Sequence, residues 1–129
     1  MIFGILKDIK EGEYRVICTP MEVKSIVAAG HTVWAQHDCG KMAGFPDEAY
    51  AAAGARIVDT AEEMYAGCDM VAKVKEFTPD ECAMMRKGQI VLGCIHPAAH
   101  PEEVDALLQS GCIAFTAEDS HRYGSPNCE

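Results

Sequence analysis

Short apolar runs alternate with helix-like stretches along the whole chain, and each run is short enough for one buried strand. Glycine follows the helix-like stretches and marks their ends, as at Gly30 and Gly54. Helix starts carry a threonine with glutamate three residues later, as at Thr19, Thr60 and Thr78. The pattern predicts strands and helices at these positions: strands over 2–7, 32–36, 55–58, 69–74, 89–95 and 112–117, and helices over 20–29, 47–53, 60–66, 79–86 and 101–110.

Strict alternation of strand and helix predicts right-handed βαβ units, because parallel strands need a crossover connection. We therefore expect an α/β fold of the Rossmann or flavodoxin-like kind, a three-layer sandwich whose mainly parallel sheet has helices on both faces. The 129 residues suit one domain, over 1–118. The polar stretch 119–129 is typical of a linker.

Net charge and cysteine content exclude some classes of partner and indicate the cellular compartment. A net charge of −9 argues against nucleic acid and anionic membranes as partners, because both need basic patches. No stretch has the length of a transmembrane helix or the form of a signal peptide. Seven cysteines, an odd number without a C-x-x-C pair, indicate a reducing cytoplasm rather than a disulfide framework.

Ionisable residues stand where two apolar runs end: Lys75 and Glu76 follow one, and His96 follows the other. Arg15 lies beyond the first strand, on the same edge of the predicted sheet. Open α/β sheets bind ligands outside the carboxyl ends of their strands. Two cations and an imidazole placed there predict a small-anion site with an acid/base group.

Each of these residues also has a purely structural interpretation. Arg15 is a surface residue if it pairs with Glu11 or Glu13, and Lys75 is a solvated strand-end lysine if it only reaches water. Cys94 and His96 alone make a weak zinc pattern, so we expect no metal. No G-x-G-x-x-G motif or P-loop occurs, so we expect no dinucleotide site in this chain.

The segments around these residues resemble the N-terminal, substrate-binding domain of the alanine dehydrogenase and pyridine-nucleotide transhydrogenase family, and alanine dehydrogenases most. The matching segments lie in order over nearly the whole chain: Lys7-Asp8-Ile9-Lys10-Glu11-Gly12-Glu13-Tyr14-Arg15-Val16, Thr19-Pro20, Ala28-Ala29-Gly30-His31, Gly44-Phe45-Pro46-Asp47-Glu48-Ala49-Tyr50, Ala53-Gly54-Ala55, Val74-Lys75-Glu76 and Ile95-His96-Pro97-Ala98-Ala99.

The resemblance implies an oxidoreductase that converts L-alanine, NAD and water to pyruvate, ammonium and NADH. Arg15 and Lys75 would hold the carboxylate and the keto oxygen. His96 would be the catalytic acid/base group that assists water attack on the iminium. Glu76 and Glu118 would support the site. The partner would be a small 2-oxo acid or amino acid, and the protein a cytoplasmic homo-oligomer.

Departures from the family pattern limit these expectations. Leu6, Pro97 and Ala117 replace the usual proline, leucine and tyrosine near the pocket, so the substrate is expected only to be a small 2-oxo or amino acid. The family's NAD-binding domain and its returning final segment have no counterpart here, so 119–129 would begin a linker to an absent domain. A chain without both is expected to be inactive alone and to self-associate through exposed apolar surface. A non-catalytic binding or regulatory domain and a transhydrogenase alpha-subunit fragment remain the alternatives.

Overall fold

A computed structural model describes residues 1–118, and the predicted linker 119–129 lies outside the described residues. Within these 118 residues, six strands and five α-helices alternate. The strands are β1 (Ile2–Ile5), β2 (Thr32–Gln36), β3 (Arg56–Val58), β4 (Met70–Ala72), β5 (Ile90–Gly93) and β6 (Ile113–Thr116). The helices are α1 (Pro20–Ala28), α2 (Asp47–Ala52), α3 (Ala61–Gly67), α4 (Pro79–Met84) and α5 (Pro101–Ser110), with a 3-10 turn at Lys41–Ala43.

The strands form one parallel sheet in the order β3-β2-β1-β4-β5-β6. The chain starts in the middle of the sheet, builds to one edge through β2 and β3, and then crosses back to β4. The connections after β1 and β4 therefore leave in opposite directions, which opens a crevice between them. The sheet confirms the predicted α/β fold of Rossmann type.

Two apolar cores lie on opposite faces of the sheet. Val23 of α1 and Tyr50 of α2 pack on one face with Ile5 of β1. Tyr65 of α3 and Leu107 of α5 belong to the core on the other face. Helices therefore cover both faces, as the sequence predicts.

The face that carries α1 and α2 is bare over the last strands. Strand register aligns Ile5 with Ala72, then Leu92, then Phe115, so these residues point to one face. Ile5 is fully buried under α1, but Phe115 on the edge strand is 56% exposed. An apolar strip across β5 and β6 is thus open to solvent on this face.

Strand β4 ends earlier than the pattern 69–74 predicts. Lys73 still donates its backbone N–H to Leu92 of β5 at 3.1 Å. The next two N–H groups, of Val74 and Lys75, bond to the carboxylate of Asp8 instead of to a strand. The side chain of Asp8 thus takes the place of backbone acceptors beyond the end of β1, while on the β5 side the carbonyl of Val74 still accepts the N–H of Cys94 at 3.0 Å. No helix within residues 1–118 has the length and apolarity needed to cross a bilayer.

Candidate functional site

All three principal site residues lie beyond the carboxyl ends of adjacent strands. Arg15 follows β1, Lys75 follows β4 and His96 follows β5. The first two strands flank the point where the connections diverge. This is the position at which open α/β sheets bind their ligands.

Arg15 is oriented by its neighbour Glu13. The carboxylate of Glu13 accepts two hydrogen bonds from the guanidinium, from Nε and Nη2 of Arg15, both at 2.8 Å. This hydrogen bonding lowers the pKa of Glu13 to about 2. Glu13 is only 6% exposed, whereas Arg15 is 69% exposed. The pairing with Glu13 is the structural alternative that the sequence offers, but it still leaves the Nη1 side of the guanidinium unbonded to Glu13.

Lys75 is half-buried, and its backbone N–H bonds to Asp8 at 2.9 Å. Its neighbour Glu76 does not pair with it. Glu76 is buried and accepts a hydrogen bond from Lys10, and His100 Nε2 lies 3.6 Å from the same carboxylate. Glu76 thus supports the loop that leads to Arg15, and it leaves the ammonium of Lys75 unpaired among the described residues.

His96 turns the chain away from β5. Its φ of 48° lies in the left-handed region, which a residue with a Cβ adopts only where its surroundings hold it. Glu118 Oε1 accepts the backbone N–H of His96 at 2.5 Å and lies 3.7 Å from the ring Nδ1. A cavity of about 260 Å³ lies here, lined by His96, Pro97, Ala98, Ala99 and Glu118. Glu118 therefore holds the backbone of His96 and faces its ring.

Electrostatic contacts join these groups into one neighbourhood. Burial raises the pKa of the Cys94 thiol, Glu118 raises it further, and the charges of Lys75 and Arg15 oppose that rise. The charge of Lys75 also contributes to the low pKa of Glu13, after Arg15 itself. Arg15 and Lys75 therefore act on the same groups, beside the strand that ends at His96.

Two features of the site had no clear signal in the sequence. Asp8, which holds the backbone at Lys75, follows β1 in a stretch that only the family motif marks. Cys94 feels the charges of Lys75, Arg15 and Glu118, whereas the sequence gives it only a place on a strand and a weak zinc pattern with His96.

A separate group of side chains has the spacing of a metal site. Within residues 1–118, only His37, Asp38 and Asp47 bring three possible ligand atoms within 4.8 Å of one another. Asp47 already accepts the backbone N–H of Asp38 at 2.9 Å and contacts His37 Nδ1 at 2.5 Å. The carboxylate is thus engaged in closing the turn after β2, and none of these residues belongs to the site at Lys75.

Comparisons with known proteins agree with the fold. The family model of the alanine dehydrogenase/PNT N-terminal domain matches residues 4–124. Alanine dehydrogenase of Bacillus subtilis (strain 168) is 39% identical over 118 residues, which are 92% of this chain and 31% of that protein.

Two solved structures superimpose on the chain. A structure of L-alanine dehydrogenase aligns with a TM-score of 0.86 and 39% identity, over 90% of this chain and 32% of that one. Transhydrogenase from Sinorhizobium meliloti aligns with a TM-score of 0.88 and 27% identity, over 96% and 37%. The chain thus spans about a third of the length of these relatives. Because the family model covers almost all of it, the chain belongs to the alanine dehydrogenase/PNT N-terminal domain family.

Proposed function

We propose that this chain is the substrate-binding domain of an alanine dehydrogenase-like oxidoreductase, which converts L-alanine, NAD and water to pyruvate, ammonium and NADH. The observation that carries the proposal is the position of Arg15, Lys75 and His96 beyond the carboxyl ends of the three adjacent strands β1, β4 and β5. The similarity to alanine dehydrogenases, at 39% identity over 118 residues, supports the choice of substrate. The domain boundary at residue 118 is part of this proposal.

The arrangement suits a small 2-oxo acid. Arg15 offers the side of its guanidinium that Glu13 leaves unbonded, which fits one carboxylate. Lys75 offers an ammonium to the same carboxylate or to the keto oxygen. His96 supplies an imidazole as the candidate acid/base group, beside the Glu118 carboxylate that faces its ring.

NAD does not fit the residues present. A Rossmann pyrophosphate site needs a glycine-rich turn after the first strand, leading to a helix N-terminus. Here β1 is followed by Leu6, Lys7 and Asp8, and the carboxylate of Asp8 occupies the backbone N–H groups at that edge. A second domain would have to supply the cofactor site, and the residues of this chain account only for substrate binding and proton transfer.

A transhydrogenase subunit is the second candidate. The alignment with the Sinorhizobium meliloti transhydrogenase, at a TM-score of 0.88, supports it. In that case the domain would serve assembly and would not need to bind a 2-oxo acid. Binding of pyruvate at Lys75 would therefore favour the alanine dehydrogenase-like enzyme over the transhydrogenase subunit. A binding domain without catalysis would also bind pyruvate. We further propose that the protein is cytoplasmic, because its cysteines are free, and that it binds no nucleic acid, because its net charge is −9. The proposal that it forms a homo-oligomer rests on the family resemblance alone.

The test is calorimetric titration of the 129-residue chain with pyruvate, repeated with Arg15→Gln and Lys75→Gln. A hydrogen bond to a charged group contributes about 1.5–3 kcal/mol, so each change should weaken binding by about ten- to a hundredfold. Lys24→Gln is the matched control, because Lys24 is exposed on α1 and should leave the dissociation constant unchanged.

Two results would contradict the proposal. If the chain does not bind pyruvate, or if Lys75→Gln leaves the binding intact, the proposed substrate site is wrong. Tight binding of NAD to the same chain would overturn the assignment of the cofactor site to another domain.

A further inference from the structure

The carboxylate of Asp8 holds two consecutive backbone N–H groups at the end of β4. Oδ2 accepts the N–H of Val74 and Oδ1 accepts the N–H of Lys75, both at 2.9 Å. Sixty-six and sixty-seven residues separate the partners in sequence, so the contact is tertiary. Charge-assisted hydrogen bonds of this kind are stronger than neutral ones, and they fix the backbone on which the Lys75 side chain stands.

Asp8 and Arg15 belong to one connection, residues 6–19, between β1 and α1. Lys10 of the same connection pairs with Glu76, the residue after Lys75. Two contacts therefore tie the segment of Arg15 to the segment of Lys75. The ion pair of Lys10 adds little rigidity to the connection, because the Lys10 side chain is 46% exposed. Asp8 instead makes two hydrogen bonds of good length to backbone N–H groups.

We propose that Asp8 is a positioning residue, which sets the separation of Arg15 and Lys75 so that both cations meet one carboxylate. The inference rests on the proposed function, because the ligand is the 2-oxo acid of that proposal. Replacement by asparagine should disrupt the arrangement, because an amide has one acceptor oxygen and would turn its NH₂ group toward one of the two N–H donors. A small misplacement of binding groups has a large effect on a ligand held by two charges.

The test compares Asp8→Asn with Asp69→Asn, a change of the same chemistry at the other end of the same strand pair. Asp69 Oδ2 accepts the backbone N–H of Ile2 at 2.6 Å, at the amino ends of the strands and away from the site. Both variants should lower the melting temperature. Only Asp8→Asn should weaken pyruvate binding, by about tenfold, which is the scale of one charge-assisted bond.

A double substitution and amide spectra exclude a merely structural effect. In a Lys75→Gln background, Asp8→Asn should add less than twofold to the loss of binding, because it acts through Lys75. In ¹H–¹⁵N spectra, Asp8→Asn should shift the amide signals of Lys75 and Arg15, and Asp69→Asn should shift neither. Asp8→Ala, which removes the acceptors without adding a donor, replaces Asp8→Asn if that variant does not fold.

Equal loss of affinity in the Asp8 and Asp69 variants would overturn the inference, and so would additive effects of the Asp8 and Lys75 substitutions. If the wild-type chain binds no pyruvate, the proposed function fails on its own, and the spectra then decide on Asp8. If Asp8→Asn does not shift the amide signal of Arg15, then Asp8 does not position the segment that carries Arg15.

Discussion

Lys73 lies in the core and forms an ion pair there, so its loss should be far more damaging than that of Lys75, two residues away. Its side chain is 1% exposed, and Nζ donates to Glu81 Oε1 at 2.6 Å. The other oxygen of Glu81 accepts the hydroxyl of Tyr65 at 3.0 Å. Lys73→Met keeps the length of the side chain and removes its charge, which leaves the Glu81 carboxylate buried without its cation.

Removing one partner of a buried pair costs about 3–5 kcal/mol, because the remaining charge has lost its solvation and its partner. A domain of this size has about 5–15 kcal/mol of stability in total, so the change consumes a large part of it. Glu81→Gln should cost a similar amount, because it leaves the Lys73 ammonium buried without a carboxylate partner. The double variant Lys73→Met, Glu81→Gln should recover most of the loss, because no unpaired charge remains.

Urea unfolding followed by circular dichroism measures these free energies, provided that the slope of the transition stays constant. Lys75→Met is the control, since Lys75 is half-buried and forms no salt bridge within residues 1–118; it should change stability by less than about 1 kcal/mol. The reasoning is refuted if Lys73→Met costs no more than Lys75→Met, or if the double variant is as unstable as the sum of the single ones.

Three further predictions follow from single contacts. Because the pKa of Glu13 lies at about 2, the ion pair with Arg15 should stabilise the fold above pH 4.5 and lose that contribution as the pH falls toward 2. Arg15 is largely exposed, so the effect should be small, and Glu13→Gln should abolish it in thermal unfolding across this range. Gly67→Ala would place a Cβ 2.2 Å from the ring of Trp34, so it should cost about 1–3 kcal/mol and alter the Trp34 fluorescence; an unchanged melting temperature would contradict this packing. Phe115→Gln should reduce self-association in sedimentation without lowering stability, since Phe115 is 56% exposed; equal association of both proteins would show that the bare strip is not the contact surface.

Element order was predictable because local signals agree with one another. The reciprocal capping boxes at Thr19 and Thr78 begin α1 and α4 where the sequence places them, and Thr60 accepts the N–H of Glu63 at the start of α3. Gly111 closes α5 in the left-handed conformation. These signals lie within a few residues of the ends that they fix, so no knowledge of the tertiary structure is needed.

Strand ends and side-chain partners were less predictable, because they depend on contacts between distant segments. The run 69–74 continues beyond the three residues of β4, where the carboxylate of Asp8 accepts the next two backbone N–H groups. Likewise, the run gives no sign that Lys73 is buried beside Glu81. Periodicity records which residues are apolar, and it does not record which polar residue from another loop satisfies the backbone.

In the proposed substrate site, Arg15 and Lys75 would contribute unequally to the binding of a carboxylate. Glu13 already neutralises much of Arg15 and fixes its plane, so Arg15 contributes direction more than charge. Lys10 is likewise paired, with Glu76. Within residues 1–118, Lys75 forms no ion pair with a carboxylate, and the carboxylate of Asp8 accepts backbone N–H groups instead. Under the proposed function, the carboxylate of a 2-oxo acid would therefore gain Coulomb attraction mainly from Lys75 and orientation from Arg15.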